Sequence, residues 1–151
     1  MTIHILRKMN KEGGDVPIGV GLTLDDAAKL VPDADNVSIQ QISSSFNRYI
    51  FRANNNLYMI TPINVVGCPR DVTIISKVHQ GFSDAEAIES IVDCYAAAIN
   101  FISKMGEITS RERGGRTMKI EVKVPITKTI EEDKVEIYFI REFPIKGVDE
   151  E

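Results

Sequence analysis

Residues 83–105 run without a proline or glycine, and Gly106 follows them. Ser83 and Glu86 stand in the spacing of a capping box, with Phe82 where a hydrophobic staple would face Ala87. Stepped at about 100° per residue, Ile88, Ile91, Val92, Tyr95, Ile99 and Ile102 form one apolar stripe. Ala87, Cys94, Ala98, Phe101 and Met105 widen it, and Glu86, Glu89, Asp93, Asn100 and Lys104 take the remaining arc. The pattern predicts one long helix over about 83–105. A stripe a little wider than about 100° docks a helix on a sheet. The Cys94, Phe101, Met105 flank exceeds it, which predicts cover from a neighbouring element or from a second subunit.

Most of the remaining chain alternates with the period of a strand. Thr2–Met9 suits an opening strand, and Val16–Leu22 an edge strand that contains Pro17. Thr23 followed by Asp25 and Asp26 starts a short helix over about 23–31, stopped by Pro32. Strands follow at 36–42 and 72–78, with a hairpin of 47–53 and 57–63 around Asn54, Asn55 and Asn56. The clearest alternation is in 118–124 and 135–140. Strands outnumber helices, and repeated strand–helix–strand crossovers are missing. The expected fold is therefore α+β: a mainly antiparallel sheet of about six strands, one long helix packed across it, and one short helix.

At 151 residues the chain is the size of one domain, expected over 1–146, with 147–151 as an acidic, disordered tail. Its 43% apolar and 26% charged residues are those of a soluble globular protein. The formal net charge of −4 argues against general nucleic-acid binding, so an anion site must be local. Two cysteines, Cys68 and Cys94, stand without metal-type spacing and read as reduced thiols in a cytoplasmic protein. The N-terminal residues lack a signal-peptide core, and no apolar run is long enough to span a membrane. No cofactor or metal site is expected.

Concentrated chemistry occurs in one place. Arg111, Arg113 and Arg116, three of the eight arginines, flank Gly114 and Gly115. Guanidinium groups bind phosphate bidentately, and tandem glycines let a backbone approach a ligand closely. The plain alternative is a solvated loop whose arginines pair with Glu107 and Glu112. A second basic row lies in the hairpin, where Arg48 and Arg52 share one face and Tyr49 and Phe51 the other. Tyr49 or Phe82 would stack a base. Gly67-Cys68-Pro69-Arg70-Asp71 is a weaker candidate. Gly19-Val20-Gly21 lacks the third glycine of a dinucleotide loop, and nothing in the spacing brings Cys68 to His79 as a nucleophile–base pair. Glu89 and Asp93 read as a solvated helix face.

These readings combine into a non-enzymatic, oligomeric binding protein, expected as a homodimer. It would hold a phosphate-bearing, nucleotide-like small ligand at Arg111, Arg113 and Arg116. Arg48 and Arg52 would assist, and Phe82 or Tyr49 would stack the base. The competing reading is a structural or assembly subunit of a larger complex, joined through the wide apolar helix face.

Overall fold

The computed structural model describes residues 1–9, 15–31, 40–43, 48–53, 55–67, 69–78, 86–124 and 134–148. The fold is α+β, with a mainly antiparallel sheet, one short helix and one longer helix. Ten strands are described rather than about six. Contacts cluster into two compact units, Met1–Arg70 with Pro144–Glu151, and Asp71–Phe143. Residues 149–151 of the expected acidic tail lie outside the described residues. No helix among the described residues is long and apolar enough to cross a membrane.

In the first unit, β1 (Thr2–Met9) pairs antiparallel with β2 (Asp15–Gly21) and with β5 (Asn56–Asn64). Beyond β5 come β4 (Arg48–Ala53) and β3 (Gln40–Ser43). The hairpin turns at Asn55, whose φ of 63 suits asparagine better than most residues. β2 is not an edge. Val20 and Gly21 pair in parallel with Ile145 and Lys146, at the opposite end of the strand from Pro17. α1 (Leu24–Ala28) is capped as its sequence predicts: the Asp26 N–H donates to Thr23 Oγ1 at 3.1 Å, and the Thr23 N–H to Asp26 Oδ2 at 3.3 Å. Gly21 lies under this helix, where a Cβ would collide with the Ala27 backbone. Gly21 of Gly19-Val20-Gly21 therefore serves close packing. Leu6, Ala27, Val31, Phe51, Tyr58 and Ile60 form the core.

In the second unit the strand order is β8 (Glu107–Gly114), β9 (Thr117–Val124), β10 (Lys134–Lys146), β6 (Asp71–Val78), β7 (Glu86–Val92). The boundary between the units falls within β10, before Pro144, a residue that cannot donate to a ladder. Met118, Ile120, Val122, Tyr138 and Ile140 bury one face of β9 and β10 against α2 (Tyr95–Ser103), through Ala98 and Ile102.

The long helix is shorter than its periodicity predicts. Residues 86–92 form β7, paired antiparallel with β6 from Val78↔Glu86 to Thr73↔Val92. Ile88, Ile91 and Val92 are β-branched and suit a pleated ladder as well as a helical stripe. Asp93 and Cys94 bend the chain, and the helix begins at Tyr95, ahead of Ala96-Ala97-Ala98. Glu86 is thus a strand residue, not the third position of a capping box, and Ser83 lies outside the described residues. Cys94 and Met105 are exposed beyond the two ends of the shortened helix, and Phe101 is half-buried within it. They no longer make a continuous helical flank. Glu89 is on β7 and Asp93 in the bend, so the expected helix face of paired acids does not exist.

Candidate functional site

The arginine-rich segment is a hairpin, not a loop. β8 and β9 pair antiparallel from Glu107↔Lys123 to Gly114↔Thr117. The connection is tight: Gly115 has a φ of 61, and no positive φ occurs at Arg116. A positive φ confined to the first central residue marks a type II′ turn, whose twist suits a two-residue hairpin and which favours glycine there. Glycine is needed at 115 for the turn itself, and Arg116 sits at its tip.

A bulge decides where the other two arginines stand. The register passes from Ile108↔Val122 to Ser110↔Glu121, leaving Thr109 as the extra residue, with its hydroxyl donating to the Glu121 carbonyl at 3.3 Å. Uninterrupted alternation would put Arg111 and Arg113 on the face opposite Ile108. With the bulge they oppose Ile120 and Met118, both buried in the core against α2. Arg111 and Arg113 therefore line the helix-covered side of the hairpin where it extends past the core. Glu112 turns to the other face, opposite Lys119.

The Arg113 guanidinium lies over the Tyr95 ring, 4.6 Å from its centroid. The ring is part of the core packing, and its hydroxyl is buried with no hydrogen-bond partner among the described residues. Burial pushes the Tyr95 phenol above its ordinary pKa, and the nearby Glu142 carboxylate adds to this; Arg113 and Arg116 pull the other way. Arg116 is held by its backbone, since its carbonyl accepts from the Glu142 N–H at 3.0 Å. Arg111, Arg113 and Arg116 are all exposed, and none makes an ion pair among the described residues. The pairing with Glu107 and Glu112 that would neutralise them does not form there. Glu112, Arg113, Gly114, Thr117 and Lys119 line a shallow, open depression of about 340 Å³.

Arg48, Tyr49 and Arg52 lie on β4 in the first unit. Arg48 and Arg52 are exposed, while Tyr49 packs against the core beside Phe51, whose ring stacks on Tyr58 with centroids 5.2 Å apart. Phe82, Cys68 and His79 lie outside the described residues. Arg70 is exposed, and its carbonyl accepts from the Ile145 N–H at 2.8 Å.

Two features escape a reading of the sequence. Tyr95 is one apolar position among many there, and only the bulge reveals it as the platform for Arg113. The other is a largely buried ion pair: Arg141 grips Glu86 through both terminal guanidinium nitrogens, with Nη2 2.9 Å from Oε2. Their side chains are 15% and 6% exposed, so bulk water screens the pair only weakly. No local pattern joins residues so far apart in the chain. Among the described residues no group of three or more His, Cys, Asp or Glu side chains is placed to hold a metal ion. Comparison of the chain with protein-family models, with curated proteins and with solved structures finds no significant match.

Proposed function

We propose that the chain is a binding protein for a phosphate-bearing, nucleotide-like small ligand, held at the β8–β9 hairpin by Arg111, Arg113 and Arg116. One observation carries the reading: three exposed guanidiniums share one tight hairpin and are not neutralised by ion pairs among the described residues. Such a cluster concentrates positive potential on a chain whose net charge is −4, and an anion relieves the mutual repulsion. Arg113 is already oriented by Tyr95, which lowers the ordering cost of binding. The role is recognition of charge rather than catalysis. The arginine-bearing end of the hairpin is exposed, so a neighbouring subunit of a homo-oligomer would supply the wall that a ligand needs there. The competing reading of an assembly subunit drew on a wide helical face, and Ile88, Ile91 and Val92 now belong to β7.

The test is a thermal-shift screen against mono-, di- and cyclic nucleotides at low and high salt, with light scattering to follow mass. Ligand at about 100 times its Kd stabilises by about 2.7 kcal/mol, a rise of roughly 5–10 °C at this size. Arg113→Ala and Arg116→Ala should abolish the rise. No response to any nucleotide, or a response that both variants retain, defeats the reading.

A further inference from the structure

Among the described residues β8 is bonded on one side only, to β9. Its other edge offers main-chain N–H and C=O groups along Glu107–Gly114, and residues 111–114 are exposed. An open edge of this length either is guarded or accepts another strand. The bulge at Thr109 guards only the beginning of β8. From Ser110 to Gly114 the pairing with β9 is regular, so the backbone there has the pleat that an added strand requires.

The charges decide what kind of strand fits. Arg111 and Arg113 are alternate residues on one face, and Glu112 stands between them on the other. A second copy joined edge to edge about a two-fold axis would bring the arginine face of β8 against the same face of its mate. Like charges directly opposite each other across strands are destabilising. A strand with carboxylates at two alternate positions and a cation between them matches both faces at once.

We propose that the free edge of β8 receives an extended peptide segment of another protein by β-strand addition. Two acidic side chains of that segment, at alternate positions, oppose Arg111 and Arg113, and an intervening basic side chain opposes Glu112. Main-chain hydrogen bonds to the edge supply affinity, and the alternating charges set the register. The proposal does not depend on a phosphate ligand, because it uses the backbone of β8 as well as its side chains.

The experiment is fluorescence anisotropy of the full chain with a fluorescein-labelled peptide, Thr-Val-Glu-Lys-Glu-Val-Thr. A charge-inverted peptide, Thr-Val-Lys-Glu-Lys-Val-Thr, is compared with it. The first should bind about tenfold more tightly, since each cross-strand pair changes from attraction to repulsion. N-methylation of alternate residues should abolish binding when it blocks the docking edge of the peptide and spare binding when it blocks the other. In a folded R111E/R113E variant, checked by circular dichroism, the preference should reverse. Equal binding of the two peptides, binding to neither, or binding that survives methylation of either edge overturns the proposal. The methylated peptides need no variant, so the result stands even if R111E/R113E fails to fold. The nucleotide screen reads thermal stability without peptide, so one proposal can fail while the other holds.

Discussion

The guanidinium of Arg113 lies 4.6 Å from the centroid of the Tyr95 ring, so a hairpin strand rests on the first residue of α2. The ring does two things: it fills space beside the core and orients a cation. Its hydroxyl does neither, being buried with no partner among the described residues. Tyr95→Phe should therefore leave stability within about 1 kcal/mol of the parent, because an unsatisfied polar group is removed and the stacking is kept. Tyr95→Ala removes both ring packing and the cation–π contact and should cost about 2–4 kcal/mol. Urea unfolding of the two variants separates these outcomes.

Glu86 and Arg141 form a buried pair in which each charge compensates the other. Glu86→Ala leaves the guanidinium without its partner and should destabilise by about 3–5 kcal/mol. Replacing both residues with leucine or methionine should recover most of that loss, since two well-packed apolar groups carry no desolvation cost. Chemical denaturation of the single and double variants completes the cycle. A double variant as unstable as Glu86→Ala would show that the pair does more than compensate charge.

Tyr138 predicts an alkaline limit to stability. Its hydroxyl donates to Glu136 Oε2 at 3.1 Å, and its pKa is raised, first by burial and then by the Glu136 carboxylate. A raised pKa means that the folded state holds the proton more tightly than the unfolded chain, where tyrosine ionises near about 10. The stabilisation is fully present below about pH 10 and is lost as pH rises beyond it through the folded value. Denaturation midpoints should hold up to about pH 10 and fall as pH rises beyond it, and Tyr138→Phe should flatten that fall.

Gly115 adopts a φ of 61 at the first central position of the arginine hairpin. Gly115→Ala forces a side chain into that region and should cost about 1–2 kcal/mol. The same change should weaken any anion that bridges Arg113 and Arg116, since the turn sets their separation. A Cβ at this position meets open space, so the penalty belongs to the backbone and not to a collision. Calorimetry with and without a nucleotide found in the screen would read both effects.

Where one local rule dominates, the sequence by itself determined the structure. The alternation of 118–124 and 135–140 specified β9 and β10, Thr23 with Asp26 specified the start of α1, and the asparagine run specified a hairpin. The α+β class followed from the count and order of such segments. Three matters were settled only by tertiary structure, each through a partner distant in the chain. Residues 86–92 fit a helical stripe as well as a strand, and the ladder with β6 made them β7. The helix-covered face of Arg111 and Arg113 depended on the single extra residue Thr109 against β9, since one unpaired residue reverses every side chain beyond it. Glu86 found Arg141 because two strands not adjacent in sequence brought them together. Periodicity records which faces of a segment are apolar; which neighbour covers them is decided by pairing energies that no local window contains.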